Sequence, residues 1–269
     1  KHISNIIKLS ENEEIVSAVP VSSFSNKFDI SLVSKNGMIK KTNLEEFKVS
    51  RYSKPISCMK LKDGDFVINA FLVNYDDIFV STYNGYGLWF DISEVPSSGI
   101  KSSGVKAINL KDDFVVSASI FDKNKEYVTI FTNNRTAKRV RLEEFEKSSR
   151  ARRGLLLLRE VKTNPYKVIK TFIVDNHDYF GIKVGNTISS FKSTEIPIAD
   201  RYKTGSTISK DDIDDVFISK SLEEKVLNIN TESEEEVEVL ESDKEDMKPH
   251  QVSLLEIDDR LREIDDFLK

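Results

Sequence analysis

Four stretches of this chain turn on the same short phrase. Residues 34–47 read SKNGMIKKTNLEEF, residues 82–96 read TYNGYGLWFDISEVP, and residues 132–147 read TNNRTAKRVRLEEFEK. A fourth copy turns at Gly185-Asn186. Aligned on Gly37, Gly85, Arg135 and Asn186, the steps are 48, 50 and 51 residues. Asn and Gly tolerate the positive φ of a tight hairpin. Before each turn stands a β-rich run (DISLVS, DIFVST, YVTIFT, YFGIKV), and after it a second run ending LEEF, SEVP, LEEF or TEIP. The alternation of apolar and polar residues predicts strands with one buried face. Ile30, Leu32, Ile78, Val80, Val128, Ile130, Phe180 and Ile182 are the expected core.

A looser element lies between the turns. Its copies are KPISCMKLKDGDFVINAFLV, SSGVKAINLKDDFVVSASIF and the longer ARRGLLLLREVKTNPYKVIKTFIV. The N-terminal HISNIIKLSENEEIVSAVPV matches this second element, with Leu9 and Ala18 in the places of Leu61 and Ala70. Residues 202–220 give a weaker copy. A period of about 50 residues built from short strands predicts an all-β, propeller-like fold of four-stranded blades. One such sheet cannot bury both faces alone, so neighbours must cover each other. No Gly-His to Trp-Asp framing occurs, and Trp89 is the single tryptophan.

Charge divides the chain. Residues 1–210 hold 33 Lys and Arg against 24 Asp and Glu, a balance of +9; residues 211–269 hold 7 against 21, a balance of -14. A basic body followed by an acidic tail points to a polyanion as partner. The tail run TESEEEVEVLESDKED is aromatic-free and reads as disordered. In SLLEIDDRLREIDDFLK, residues Leu254, Ile257, Leu261, Ile264 and Leu268 fall on one face, which predicts a short amphipathic helix over 253–268. The expected organisation is therefore a β domain over 1–218 and a largely disordered tail over 219–269. Tethered beside a basic body, that tail either competes with phosphate at low salt or serves only to keep the chain soluble, and the sequence leaves both readings open.

Catalytic chemistry has little to stand on. Cys58 is alone, and His2, His177 and His250 are far apart, so the sequence offers no disulfide and no metal cluster. No G-x-x-x-x-G-K-[ST] phosphate loop occurs. The recurrent Glu45-Glu46 and Glu143-Glu144 pairs follow strands and read as solvated or loop-ordering charges, not as a glycosidase pair. The expectation is no catalytic residue, no metal and no cofactor in this chain.

The phrases SKNGMIKKTNLEEF, TYNGYGLWFDISEVP and SSGVKAINLKDDFVVSAS resemble the C-terminal β-pinwheel of the A subunits of type IIA bacterial topoisomerases. The resemblance covers about residues 1–218. It implies a disc of usually five or six blades that exchange strands, and whose outer rim binds and bends DNA. Four turn copies and a partial first repeat are counted here, so the first blade is expected to precede Lys1. The glycine-rich heptad Q-R-R-G-G-[RK]-G of gyrase A does not occur; SRARRGL at 149–155 comes nearest. FKVSRYSKPIS at 47–57 is more similar to ParC, the corresponding chain of topoisomerase IV, of a Gram-positive bacterium, with gyrase A the second reading. The resemblance further implies duplex DNA as partner and, in a heterotetramer, a second ParC copy and ParE. ATP and Mg would act in ParE, and the strand-cleaving tyrosine would lie upstream. No membrane anchor is expected, and a cytoplasmic, nucleoid-associated setting follows. A propeller that docks a protein is the competing reading.

A DNA-wrapping surface needs cations along a path. The candidates are Lys40, Lys41, Lys48, Arg51, Lys54, Lys101 and Lys106, then Arg135, Lys138, Arg139 and Arg141, then Lys147, Arg150, Arg152 and Arg153, and finally Arg201 and Lys203. In AKRVRLEEF, Lys138 and Val140 point one way and Arg139 and Arg141 the other, so at least one cationic pair is expected in solvent.

Overall fold

A computed structural model describes residues 9–10, 13–21, 23–25, 27–49, 55–159 and 161–219. The expected acidic tail, its helix over 253–268, and the candidates Arg51 and Lys54 lie outside the described residues.

Fifteen strands follow in chain order among the described residues. They are β1 (Asp29–Ser34), β2 (Met38–Asn43), β3 (Val67–Leu72), β4 (Asp77–Thr82), β5 (Tyr86–Asp91), β6 (Val105–Lys106), β7 (Val115–Phe121) and β8 (Tyr127–Thr132). Then come β9 (Thr136–Arg141), β10 (Leu155–Leu156), β11 (Val168–Val174), β12 (Tyr179–Val184), β13 (Thr187–Lys192), β14 (Ser206–Thr207) and β15 (Asp215–Ser219). No helix among the described residues is long and apolar enough to cross a membrane.

The strands form four antiparallel blades in the orders β3-β1-β2-β6, β7-β4-β5-β10, β11-β8-β9-β14 and β15-β12-β13. The two-residue strands are exchanged: β6 follows the second hairpin but pairs with the first, through Met38↔Lys106 and Ile39↔Val105. β10 and β14 repeat the manoeuvre one and two blades on. β3 packs on β7 and β7 on β11, so these strands are innermost and the exchanged pairs form the perimeter.

The turn chemistry produces the hairpins. Gly37, Gly85 and Arg135 adopt φ of 75°, 86° and 60°. Each donates its N–H to the residue three back, Ser34, Thr82 and Thr132, at 3.0, 3.0 and 3.2 Å. That is the three-residue loop with a left-handed closing residue. Arg135 holds this conformation against the preference of a Cβ-bearing residue. The fourth turn falls at Gly185-Asn186 as expected, but its loop has two residues, with Gly185 at φ of 57°. The N-terminal segment that matches the second element forms no strand over residues 13–21. That segment has no hairpin of its own among the described residues, and meets β3 through Ser17 Oγ donating to Ala70 O at 2.8 Å.

Burial corrects the one-faced strand. Every residue of β4 and of β8 is buried. Ile78 and Val80 pack toward the first blade, while Phe79 joins Phe121, Val128, Ile130 and Leu157 of the next interface. One blade on, Phe131 joins Phe180, Ile182 and Val216. Each sheet gives alternate residues to opposite neighbours, and each large apolar side chain so buried contributes about 1.5–3 kcal/mol. Of the eight expected core residues all but Ile30 are buried. Among the described residues β13 has no exchanged strand beside it, and Ile188 is 61% exposed.

Candidate nucleic-acid interface

Strand exchange forces a link along the perimeter after each hairpin. Three are described, over residues 95–104, 145–154 and 196–205, equal in length and closed by Gly104, Gly154 and Gly205 at φ of 76°, 84° and 90°. Each follows a single turn of 3-10 helix (Ile92–Glu94, Leu142–Glu144 and Ser193–Glu195), which reverses the chain onto the rim. Acids of the preceding turn pin each link. Glu46 accepts from Ile100 N–H at 2.9 Å, Glu94 from Arg150 N–H at 2.9 Å, and Glu144 from Arg201 N–H at 3.2 Å. These glutamates are thus loop-ordering.

The links carry the cations. Arg150 and Arg201 occupy equivalent places and reach back to equivalent atoms. Arg150 Nη1 donates to Lys106 O at 2.5 Å and Arg201 Nη1 to Leu156 O at 3.4 Å, both on an exchanged strand. Arg153 lies over the Tyr86 ring at 3.9 Å, and Arg201 over Phe145 at 5.7 Å and Tyr202 at 5.2 Å. Stacking fixes these side chains while leaving their charge at the surface. Lys101, Lys106, Arg152 and Lys203 are exposed beside them. Lys48 is exposed where the first blade's own link starts.

Other candidates are elsewhere. Lys40, Lys138 and Arg139 are interior, 0%, 1% and 5% exposed. Both faces of β9 are covered by neighbouring blades, so only Arg141 of the expected pairs reaches solvent, 3.8 Å from Glu143. Arg139 donates to Ile196 O at 2.8 Å and to Asn176 Oδ1 at 2.7 Å, and stacks on Tyr127. Lys41 is half-buried. Lys147 is spent on Asp77 and Asp91, at 2.6 and 3.0 Å. Arg135 sits at a hairpin tip, its Nη1 on Lys210 O at 2.6 Å.

Sequence reasoning missed Arg159, Lys162 and Lys167. They line a depression with Asn84, Tyr86 and Arg153, beside a second one that Arg159 shares with Tyr202 and Lys203. The only signal was the extra length of the third inter-turn segment.

Burial pushes Lys138 down to about 7; Glu144 and Asp200 oppose the shift and Arg201 adds to it. The unfolded value is about 10.4. Between the two, the unfolded chain binds a proton that the native chain has released, so stability rises with pH across that window. Unfolding midpoints of the native chain and Lys138→Leu, taken from pH 6.5 to 9.5, should diverge, the native chain gaining with pH relative to the variant. Parallel pH profiles would contradict the assignment.

The chain matches the family model described as DNA gyrase C-terminal domain, beta-propeller, over residues 4–22, 29–74, 76–122 and 126–175. It is 40% identical over 210 residues to the A subunit of DNA topoisomerase 4 from Bacillus subtilis (strain 168), covering 77% of this chain and 26% of that protein. To the protein of the same name from Staphylococcus epidermidis (strain ATCC 12228 / FDA PCI 1200) it is 31% identical over 219 residues, covering 80% and 27%. The chain thus spans about a quarter of the length of these curated relatives. The crystal structure of the C-terminal domain of DNA topoisomerase IV is similar at a TM-score of 0.78 and 36% identity, over 82% of this chain and 70% of that one. A DNA gyrase A C-terminal domain shares the fold at a TM-score of 0.70 and 18% identity, over 82% and 75%.

Proposed function

The chain belongs to the DNA gyrase C-terminal domain family, and we propose that it binds and bends duplex DNA, without regard to sequence, as a module of a ParC-type chain of topoisomerase IV. The observation that carries this reading is the repetition on the perimeter. Arg150 and Arg201 sit at the same place in successive links, each anchored to the preceding exchanged strand. Lys101, Lys106, Arg152, Arg153 and Lys203 extend the same curved path. Such a path grips phosphates and leaves bases unread.

Magnitudes favour many contacts. Bending a site of 20–30 bp by 40–90° costs about 1–6 kcal/mol. About 6–10 phosphate contacts offset that and make affinity steeply salt-dependent. In the full enzyme the module presents a DNA segment for ATP-dependent strand passage, in decatenation and supercoil relaxation. Its own part is binding; cleavage belongs to a tyrosine outside this chain, and ATP and Mg act in ParE. The assembly is a heterotetramer with a second ParC-type chain, cytoplasmic and nucleoid-associated.

Duplex titration of the chain at several salt concentrations tests the reading. It requires a log-affinity against log-salt slope of about -5 or steeper and equal affinity for unrelated sequences. A flat slope or no binding would leave the propeller as a protein-docking scaffold.

A further inference from the structure

The third residue of the second hairpin strand is Lys40 in the first blade, Leu88 in the second and Lys138 in the third, and all three are buried. The tip of a perimeter link lies over each of them. Lys40 Nζ donates to Gly99 O at 2.7 Å and Ile100 O at 2.6 Å. Lys138 Nζ donates to the equivalent atoms, Asp200 O at 2.9 Å and Arg201 O at 2.5 Å. An amine in either protonation state keeps the two N–H donors this needs.

Over Leu88 the tip is reversed. Ala151 takes φ of 64°, whereas neither Lys101 nor Tyr202, its equivalents, is left-handed. Here the N–H points inward, from Ala151 to Ala107 O at 2.7 Å. The other two tips are closed turns, Ser102 N–H to Gly99 O at 3.0 Å and Lys203 N–H to Asp200 O at 3.1 Å. The difference is a flip of one peptide plane, which is what distinguishes a type I turn from a type II turn. A leucine offers an inward carbonyl no donor, and an inward N–H would confront the amine of a lysine.

Every described peptide is trans, so each N–H points opposite to the carbonyl preceding it. With Ile100 O and Arg201 O drawn inward, the N–H groups of Lys101 and Tyr202 face away from the interior. Neither is paired among the described residues. At the second link it is Arg150 O that faces away.

We propose that this strand position sets the peptide orientation of the overlying rim tip: Lys40 and Lys138 aim the backbone N–H groups of Lys101 and Tyr202 at DNA phosphate, and Leu88 withholds the equivalent donor. The assignment rests on the duplex-binding reading. It makes two interior lysines positioning residues that never touch DNA. Phosphate is held by backbone N–H groups as well as by side-chain cations, and an outward carbonyl repels it.

Residue-resolved amide hydrogen exchange on the full chain, free and saturated with duplex, tests this. In the free chain the Ala151 amide should be protected and the Lys101 and Tyr202 amides should exchange fast. Duplex should slow Lys101 and Tyr202 about tenfold and leave Ala151 unchanged. Lys138→Leu copies the residue the second blade already uses. It should protect Tyr202 without DNA, abolish the duplex effect there, leave Lys101 as in the native chain, and weaken affinity about threefold to tenfold. Leu88→Lys should expose the Ala151 amide. A slow Tyr202 amide in the free native chain, or one that duplex leaves fast, overturns the proposal, and does so even where a variant fails to fold. Equal affinity and exchange in native and Lys138→Leu chains overturns it too. Failure of the native chain to bind duplex at all overturns the functional reading instead, and the phosphate role with it.

Discussion

Replacing Arg150, Arg152, Arg153, Arg201 and Lys203 together by glutamine should weaken duplex binding on the order of 10²–10³-fold near 0.1 M salt. These five hold the densest part of the perimeter path, and none lies in the apolar interfaces between blades. Each lost phosphate contact flattens the log-affinity against log-salt slope by about 0.9, so five flatten it by about 4 to 5. Stability should change little, because their hydrogen bonds are made at the solvent-facing rim. Arg139→Ala should do the reverse. Its guanidinium is buried and bonded to Ile196 O and Asn176 Oδ1, so the loss costs about 2–4 kcal/mol of stability and leaves the salt slope alone. Titrations of both variants in a salt series, beside urea unfolding, separate the two outcomes. A five-fold variant with native slope would place the DNA path elsewhere on the disc.

Gly154→Ala should destabilise the chain by about 3–5 kcal/mol. The residue sits at φ of 84°, where an added Cβ alone costs about 1–2 kcal/mol. That Cβ would also strike the Gly87 carbonyl, to which the exchanged strand β10 must come close. Displacing β10 opens the interface where Leu157 and Leu158 pack. Gly64→Ala is the control. Its φ is 77°, with nothing within 4 Å of the added Cβ, so only the conformational cost of about 1–2 kcal/mol remains. Urea midpoints of the two variants should differ clearly. Equal midpoints would mean that strand exchange at β10 adds nothing to stability.

The fold was legible because its local signals repeat. Asn36-Gly37, Asn84-Gly85 and Asn133-Asn134 mark turns by their tolerance of positive φ, and three hairpins close where these residues predict. Two-residue strands such as Val105–Lys106 carry too few residues for a period, so the exchange came from the family resemblance alone. The rim was only half legible. Alternation expects one covered face, but exchange sandwiches each sheet between two neighbours, and Lys40, Lys138 and Arg139 go inside with it. A signal was present: Leu88 stands where Lys40 and Lys138 stand, and an apolar residue in one copy marks an interior position in all. Arg150 and Arg201 left no such trace. Their equivalence shows only once the links are aligned on Gly104, Gly154 and Gly205. The fourth hairpin also closes at Gly185-Asn186 as expected, with one residue fewer in its loop and glycine in the left-handed place.

The central claim is that the perimeter bends the duplex it binds. Energy transfer between dyes at the two ends of a duplex of about 30 bp, well below the persistence length of about 150 bp, reads that directly. On saturation with the full chain the ends should approach, and binding should weaken sharply for duplexes too short to follow the curve past two links. An unchanged end-to-end distance in a saturated complex, with short duplexes binding as tightly as long ones, would contradict the account.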